Sequence, residues 1–425
     1  MYISFTNKPA SENSAADRKT RPVRRTVSST VVTLGIVSML TDISSESVTA
    51  VLPMYVTGAL GLSVIAFGVL DGMYQGVSAV MRIAGGYVSD RADQPKWVAF
   101  GGYALAALAR IGLLFATGFA AISAVITADR LGKGLRTAPR DALITASSKP
   151  ESLGTSFGVH RTLDNIGAAL GPLLAFCILL LIPDGYQTIW VASLAFAVIG
   201  VVLLGLLVPN IRSRAKADKA QRMPRQKFDW KSVTSRPMRR VLAAAGILGL
   251  LTIGDGFVYL VLQARSDFAA QWFPLLYVGT NLAFVILAIP LGRLSDRVGR
   301  ARVFAFGHAG LLAAYVIAVL PMSDLAATLL CLFFLGAFYA ATDGVLAALA
   351  AQLSPPETRG TGIAAAQTMA AITRFVSAAG FGLLWYSLGR ETSMLIVAGL
   401  LLVAIPVILL LLRPQFARQK RVDAS

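Results

Sequence analysis

Sixteen ionisable side chains stand inside long apolar runs of this 425-residue sequence, eight basic and eight acidic. Each would cost roughly 2.5–3.5 kcal/mol in lipid, so such residues face a water-filled cavity or an oppositely charged partner. Equal numbers of acids and bases favour mutual pairing in a wet interior. The bases are Arg82, Arg110, Arg130, Lys133, Arg136, Arg140, Arg161 and Arg374. The acids are Asp42, Glu46, Asp71, Asp129, Asp141, Asp164, Asp255 and Asp343.

Helical spacing indicates which of these charges share a face. Asp42 and Glu46 are four residues apart, and Arg161 and Asp164 are three apart, so each pair lies on one side of a helix. A third helix carries a single stripe of charges at Asp129, Lys133, Arg136 and Arg140. We expect these three faces to meet over one central cavity.

The pair Asp42 and Glu46 predicts a proton switch. With an arginine close, a buried carboxylate is ionised; when the arginine moves to another partner, desolvation favours the protonated carboxyl group. We expect Arg130, next to Asp129, to be the movable base, so the predicted proton-coupling residues are Asp42, Glu46, Asp129 and Arg130. Alternatively, Glu46 is a structural carboxylate hydrogen-bonded among neighbouring serine and threonine side chains.

Other buried charges predict the walls of a substrate cavity. A basic stripe that faces further arginines favours a cargo with an anionic or zwitterionic group. The predicted cavity residues are Lys133, Arg136, Arg161, Asp164, Asp255, Asp343 and Arg374. Arg110 has no obvious partner in the sequence.

Composition identifies the elements that carry these charges. Hydrophobic residues make up 56% of the chain and charged residues 14%, and the mean hydropathy is +0.67. This excludes an ordinary soluble enzyme, a disordered chain and a disulfide scaffold. Because backbone groups in lipid must be hydrogen-bonded within their own segment, we expect an all-α membrane protein. Spans of roughly 20 residues with their loops give about twelve crossings.

The predicted spans form two six-helix bundles. We expect a tail at residues 1–30, a first bundle at 31–208, a basic linker at 209–238, a second bundle at 239–413 and a tail at 414–425. The predicted spans are 31–57, 64–88, 97–117, 119–147, 154–182, 187–208, 239–263, 269–291, 302–320, 323–352, 359–386 and 392–413.

Basic residues are strongly biased to one side of the membrane. Outside the predicted spans, 29 lysines and arginines lie on the N-terminal side and two, Arg265 and Arg390, on the other. This asymmetry predicts that the N- and C-termini are cytoplasmic. It also accounts for the net charge of +17 without nucleic-acid binding.

The two halves repeat with a constant offset. Gly86-x-x-x-Asp90-Arg91 recurs 206 residues later as Gly292-x-x-x-Asp296-Arg297, and Pro150-Glu151 recurs as Pro356-Glu357 with the same offset. Six spans in each half give both copies the same orientation. We therefore expect a parallel repeat about an axis along the membrane normal.

The loop motif of this repeat resembles that of the major facilitator superfamily. The segment from Gly292 to Arg302 fits the family motif closely, whereas the first copy departs from it at Asp93 and keeps one late base, Lys96. The resemblance implies a cytoplasmic gate. Its expected residues are Gly86, Asp90, Arg91, Gly292, Asp296, Arg297, Gly299 and Arg300.

The fifth span resembles an exporter pattern of the same family. The pattern is carried by Gly158, Gly167, Gly171 and Pro172, with Ala175 where the family has glycine. In the family it is associated with drug/proton antiport. The segment from Asp129 to Asp141, together with the first span, also resembles a bacterial subgroup that includes proposed metal-resistance exporters.

These features together predict a secondary transporter whose partners are protons, the bilayer and a small molecule, and the resemblance implies a place in the bacterial inner membrane. We expect a monomeric proton-coupled antiporter that exports a small organic solute or drug by alternating access, with no cofactor. One alternative is efflux of a divalent metal or metal chelate through carboxylates such as Asp42, Glu46 and Asp343. Another is a non-transporting receptor on the same fold. No nucleotide loop, zinc spacing or nucleophile triad indicates an enzyme.

Overall fold

The computed structural model describes residues 27–91, 94–149, 152–210, 235–355 and 358–422, and these residues fold into α-helices joined by short turns. The helices are α1 Ser29–Met54, α2 Val64–Arg91, α3 Pro95–Phe115, α4 Gly118–Ala146, α5 Leu153–Leu181, α6 Tyr186–Leu207, α7 Arg236–Leu250, α8 Asp255–Ser266, α9 Phe273–Val298, α10 Arg300–Val319, α11 Asp324–Leu353, α12 Arg359–Leu388 and α13 Arg390–Val422. A π-helical turn, Tyr55–Ala59, extends α1.

Helices α7 and α8 are two halves of one span, so the described chain makes the twelve predicted crossings. Ten of the spans are long and apolar enough to be recognised by hydropathy alone. The other two are α2 and α4, with 28 and 29 residues. Both have ample length, and α4 carries the charged stripe that lowers its hydropathy.

The break between α7 and α8 corrects the prediction of a continuous helix over 239–263. The Tyr315 hydroxyl accepts a hydrogen bond from the Ile253 N–H at 2.7 Å and donates to the Leu251 carbonyl at 3.3 Å. Backbone groups that leave a helix inside a membrane need such partners. A single tyrosine on α10 thus satisfies the open turn.

The spans pack into the predicted two bundles. In the first bundle α1 packs against α5 and α6, α2 against α4, and α3 against α4 and α6. In the second bundle α10 packs against α11 and α13, α9 against α11, and α7 against α12. The bundles meet mainly where α2 packs against α12 and α5 against α9.

The helices begin and end at two opposite faces of the molecule. The linker face is the one at which α1 begins and α6 ends, next to the linker. The far face is the one at which α1 ends and α2 begins. Between them, the α2–α12 seam is tight in the half nearer the far face: a Cβ at Gly68 would lie 2.5 Å from the Ala378 carbonyl oxygen, and one at Gly382 would lie 2.9 Å from the Val64 carbonyl oxygen.

The two arginines of the far side both bind helix ends. Arg265 donates to the Leu320 carbonyl at 2.5 Å and pairs with Asp324 at 2.9 Å. Arg390 donates to the Ala264 carbonyl at 2.9 Å, at the end of α8. Cations at helix C-termini satisfy free carbonyls and the negative end of the helix dipole. Each of these two arginines therefore has a structural role at a helix end, which outweighs the bias of basic residues toward the other face.

Glycines of the α5 pattern allow α1 to approach closely. A Cβ at Gly167 would lie 2.4 Å from the Met39 carbonyl oxygen, and one at Gly171 would lie 2.8 Å from the Ser47 nitrogen. A Cβ at Gly158 would meet nothing within 4 Å. Close helix contact therefore depends on two of the three glycines in the pattern.

Replacing Gly171 with valine should destabilise the first bundle. The side chain would enter the α1 backbone, and overpacking of this kind costs about 1–3 kcal/mol. We expect a lower midpoint of thermal unfolding in detergent for Gly171→Val. Gly158→Val is the control, because the structure leaves space there; equal destabilisation by both variants would contradict the packing role.

Candidate functional site

A buried charge cluster joins α3 and α4 to α1. Arg110 Nη2 pairs with Asp129 Oδ1 at 2.8 Å, and Arg130 binds the other oxygen of the same carboxylate. Arg110 also donates to the hydroxyls of Ser44 and Ser45, each at 3.3 Å. Arg110 thus has three partners in the structure, although the sequence indicates none. Asp129 is held by two guanidinium groups, so its charge is compensated within the protein.

Arg130 does not pair with the first-span carboxylates as predicted. Its guanidinium binds Asp129 and lies over the Tyr74 ring, 3.8 Å from the centroid. Such stacking suits the flat, delocalised guanidinium group. The prediction of a movable Arg130 beside Asp42 or Glu46 is therefore wrong as a statement of contacts.

Lys133 is the base that meets the first-span carboxylates. Its Nζ lies 3.8 Å from Asp42 Oδ1 and 3.7 Å from Glu46 Oε1. Its side chain is 35% exposed, against 4% for that of Arg130. Arg136 also approaches Asp42, at 3.7 Å. The spacing of the α4 stripe correctly predicts that α4 faces α1, but it does not show which base reaches which acid.

Fixed contacts surround Arg136. Its guanidinium stacks on the Tyr103 ring at 4.5 Å from the centroid, and the residue is 3% exposed. Tyr103 shares a hydrogen bond with Ser38, which also bonds to His160. Arg136 therefore lies behind the cavity wall, and it does not line the open space as predicted.

Closer to the linker face, the stripe continues to α5. Arg140 binds Asp141 at 3.0 Å and donates to the Ser38 hydroxyl at 3.3 Å. It also approaches Asp164 on α5 at 4.0 Å. The side chains of Ser38, Arg140 and Asp164 thus bring α1, α4 and α5 together, as expected.

A polar cavity of about 550 Å³ lies between the bundles. Its lining residues come from α5, α7, α10, α11 and α12 and lie in the half of the molecule nearer the linker face. Among them are Arg161, His308, Asp343, Gln367 and Arg374. Arg374 approaches Asp343 at 3.8 Å, and the Asp343 side chain is 53% exposed. This cavity has a mixed charge and is accessible to solvent.

The predicted cavity residues therefore separate into three groups. Arg161, Asp343 and Arg374 line the cavity. Lys133 and Asp164 are partly exposed on the first-bundle side. Asp255 lies elsewhere, at the start of α8, where it accepts a hydrogen bond from the Tyr339 hydroxyl at 2.6 Å.

Asp71 is a charged residue to which the sequence assigned no role. Its Oδ2 lies against the open turn of the seventh span, so that a Cβ at Gly254 would be 2.1 Å away. Asp71 belongs to α2 and Gly254 to the second bundle. The carboxylate therefore contacts the second bundle at the open turn between α7 and α8.

The predicted gate residues of the second bundle lie on the linker face. Gly299, with φ +112°, separates α9 from α10 in a conformation suited to glycine. Asp296 pairs with Arg300 at 3.1 Å, and Arg300 donates to the Ala348 carbonyl at 3.3 Å. Gly292 has open space around it, and Arg297 is exposed.

The first-bundle copy of the gate is described only as backbone. Gly86, Asp90 and Arg91 belong to α2, and their side chains lie outside the described part of the structure. Lys96, the base kept from the motif, is 7% exposed and donates to the Gly205 carbonyl at 2.8 Å. This base binds the end of α6.

Neutralising Asp129 should destabilise the protein more than removing Arg110. Asp129→Asn leaves two buried guanidinium groups without a counter-ion, and breaking a buried pair costs about 3–5 kcal/mol. Arg110→Met leaves Asp129 still bound by Arg130. We expect the order to appear in the thermal midpoint and in the monodisperse yield after detergent extraction. The reverse order would contradict the assignment of Asp129 as the shared counter-ion.

Comparison with known proteins agrees with this architecture. Residues 34–279 and 258–424 match the sequence model of the Major Facilitator Superfamily. An uncharacterized MFS-type transporter of Methanocaldococcus jannaschii is 28% identical over 398 residues, covering 90% of this chain and 96% of that protein. An uncharacterized protein of Mycobacterium tuberculosis is 26% identical over 274 residues, covering 63% and 66%.

Solved transporter structures share the fold. The nucleoside transporter NupG has a TM-score of 0.76 at 15% identity, covering 90% of this chain and 99% of its own. A peptide transporter, POT, solved with sulfate, has a TM-score of 0.70 at 16% identity, covering 92% and 95%. The two sequence matches together span most of the chain. It therefore belongs to the Major Facilitator Superfamily and is a membrane transporter, not an enzyme.

Proposed function

We propose that this transporter is a proton-coupled antiporter that exports a small organic solute or drug across the cytoplasmic membrane. In this proposal the linker face lies in the cytoplasm and the far face lies outside. The observation that supports it best is Lys133, partly exposed and placed between Asp42 and Glu46 at 3.8 and 3.7 Å. This is a small set of opposite charges whose base is accessible to solvent.

The looseness of this set suits a switch. Charge-assisted N–H···O hydrogen bonds are typically about 2.7–2.9 Å long, so distances near 3.8 Å leave Lys133 held mainly by charge attraction. A lysine ammonium is a compact charge on a flexible stem. It can change partners without the loss of directional bonds that a change at Asp129 would require.

Cargo and proton would compete for the same carboxyl groups. An ammonium or other donor on the cargo that displaces Lys133 requires an ionised Asp42 or Glu46. A proton on that carboxyl group removes the negative charge that attracts the donor. The carrier then holds either the cargo or the proton, which is the condition for exchange of one for the other.

Arginines from both bundles supply a second contact for the cargo. Arg161 on α5 and Arg374 on α12 line the same cavity. An anionic group between them would interact with both bundles, while a donor on the same molecule could reach the Asp42 side. A zwitterionic solute satisfies both requirements.

The sign of coupling depends on which charge the cargo engages. A cargo anion that drew Lys133 away would leave Asp42 and Glu46 uncompensated, and they would take up a proton together with the cargo. That arrangement gives symport. Measuring the direction of proton movement relative to cargo movement in vesicles distinguishes the two arrangements.

Neither alternative function has a comparable observation in its favour. Within the described residues, no three His, Cys, Asp or Glu side chains are grouped to hold a metal ion. Lys133 already lies against Asp42 and Glu46, the carboxylates that metal efflux would use. A receptor on the same fold would not require that lysine to change partners.

A strain that lacks the protein should accumulate the cargo. The experiment compares the accumulation of a panel of toxic organic compounds and metals in the deletion strain and in the same strain complemented with the gene. Both strains are measured with and without a protonophore. Export predicts a compound whose difference between strains disappears with the protonophore. A panel without any difference would remove the support for export.

Removing the Lys133 charge should abolish coupled export of the compound found. Lys133→Met leaves Asp42 and Glu46 without their loose counter-ion, so proton binding no longer depends on the cargo. We expect loss of compound-induced proton flux in proteoliposomes that contain a pH-sensitive dye, with the folded yield kept.

Lys149→Met is the matched control, because it removes an exposed lysine that lies just beyond the end of α4. This control should retain flux. Full coupled flux in Lys133→Met would contradict the proposed switch.

Alternating access predicts that the α2–α12 seam opens on the far side. Gly68→Val would push a side chain into the Ala378 carbonyl, 2.5 Å from the ideal Cβ. We expect this variant to shift the population toward a conformation open at the far face. Spin labels on Ser63→Cys and Ser387→Cys, in a background without Cys177 and Cys331, should give longer distances.

Gly380→Val tests whether the shift is specific to the seam. Gly380 lies on α12 as well, and a Cβ there would meet nothing within 4 Å. Its distance distribution should match that of the labelled parent. Unchanged distances in Gly68→Val, in folded protein, would contradict opening at this seam.

A further inference from the structure

A second, apolar crevice lies at the seam between the bundles. It has a volume of about 490 Å³ and walls from α2, α4 and α12. Such a volume is within the range of small-molecule sites, roughly 300–1,000 Å³. Its walls include Met73, Gly76, Met81, Leu131, Ile372 and Phe375.

The crevice offers no polar group to a ligand and reaches the outside of the bundle. Its one hydroxyl, on Thr127, donates to the Ser123 carbonyl at 2.7 Å. Ile372 on its edge is 49% exposed. Ile372 does not line the polar cavity, and an exposed apolar side chain of a membrane-spanning segment outside that cavity faces lipid. A hydrocarbon chain could therefore enter the crevice directly from the bilayer.

The crevice and the polar cavity share one helix at one depth. Ala371 and Arg374 of α12 line the polar cavity, whereas their neighbours Ile372 and Phe375 line the crevice. Adjacent Cα atoms are about 3.8 Å apart. The positive charge of Arg374 and the apolar crevice therefore lie on adjoining sides of α12.

We propose that the crevice is a lateral site for the apolar tail of the cargo, and that the cargo is an organic anion or zwitterion with an alkyl or aryl tail. The anionic group lies in the polar cavity near Arg374 and Arg161. This inference deepens the proposed function and rests on it for the identity of the polar cavity as the cargo site.

Physical chemistry favours this division of the ligand. A tail that stays in the crevice remains in apolar surroundings and is never drawn through the aqueous cavity. The anionic group leaves the membrane interface for a site with two arginines, which compensate its charge. An amphipathic molecule would thus satisfy both spaces, whereas a fully hydrophilic solute would leave the crevice unused.

The test measures equilibrium binding of radiolabelled dodecyl phosphate to the protein in phosphatidylcholine nanodiscs, with empty nanodiscs subtracted. Ile372→Trp fills the crevice and excludes the tail, so we expect Kd to rise by about tenfold or more, which corresponds to about 1.4 kcal/mol. Val376→Trp is the matched control, because Val376 is also 49% exposed on α12 but does not line the crevice. It should leave Kd unchanged.

Further arms separate the head from the tail. Arg374→Gln should weaken dodecyl phosphate binding, and methyl phosphate should bind much more weakly than the long-chain probe. Gly76→Leu fills the crevice from the α2 wall and replaces Ile372→Trp if that variant fails to fold. Loss of binding in either filled variant, with binding kept in Val376→Trp, supports the inference.

Three outcomes would overturn it. The first is unchanged binding of dodecyl phosphate when folded Ile372→Trp or Gly76→Leu is tested. The second is equally tight binding of dodecyltrimethylammonium, which would mean that the crevice accepts any chain without regard to the arginines. The third is loss of probe binding in phosphatidylglycerol nanodiscs, which would make a resident anionic lipid the occupant.

Failure here is distinguishable from failure of the proposed function. Equilibrium binding uses no proton gradient, so a loss of proton coupling would not affect it. Conversely, export of a hydrophilic solute in exchange for protons, unchanged in Ile372→Trp, would overturn the amphipathic cargo and leave proton-coupled export standing.

Discussion

The interior of this protein depends on compensation of charge where water is scarce. Arg110 and Arg130 share Asp129, and the serine hydroxyls of α1 complete the coordination of Arg110. Removing Asp129 would leave two buried guanidinium groups without a counter-ion, which is far more costly than a lost surface ion pair. The cluster therefore ties α1, α3 and α4 together at a fixed separation. A bundle that rocks as a body needs such internal ties, because forces at its edge must move all six helices.

Charge pairs of different rigidity lie within one turn of each other on α4. Arg130 is buried against Asp129 and Tyr74, while Lys133, three residues later, is partly exposed and lies nearly 4 Å from each acid. The α4 backbone is common to both, so the contrast comes from the side chains and from the distance to water. The rigid pair keeps the helix in place, and in the proposed function the loose set responds to a proton or a solute. Under that proposal one helix serves both structure and exchange.

Sequence periodicity predicts the fold and the faces of the helices, but it does not determine contacts. Apolar runs predict twelve spans, and the i, i+4 spacing correctly turns Asp42, Glu46 and the α4 stripe toward one another. Whether Lys133 or Arg130 meets the acids depends on two quantities. One is the direction in which each residue points from the helix axis, which changes by about 100° per residue. The other is the reach of the side chain, which differs by a few ångströms. Sequence periodicity also does not predict the break after α7, because the break depends on Tyr315. The Tyr315 hydroxyl accepts a hydrogen bond from the N–H of Ile253, which is 62 residues away in the sequence. Long-range partners of this kind leave no local pattern.

Glycine has opposite uses at two interfaces. Gly167 and Gly171 allow α5 to contact α1 within the first bundle, where the partners stay together throughout a rocking cycle. Gly68 and Gly382 allow α2 and α12 to touch between the bundles, where the proposed alternating access requires the same close contact to form and separate. Small residues suit both interfaces, because they let two helices approach closely. They also have no long side chains that interlock, so the two helices can separate again with little resistance. Beside the α2–α12 seam, Phe67 of α2 and Phe257 of α8 add contact area near the far face. The contact of α5 with α9 adds to it, with Phe176 and Trp272 at 5.4 Å between ring centroids, so the closed end of the molecule is formed by both contacts between the bundles.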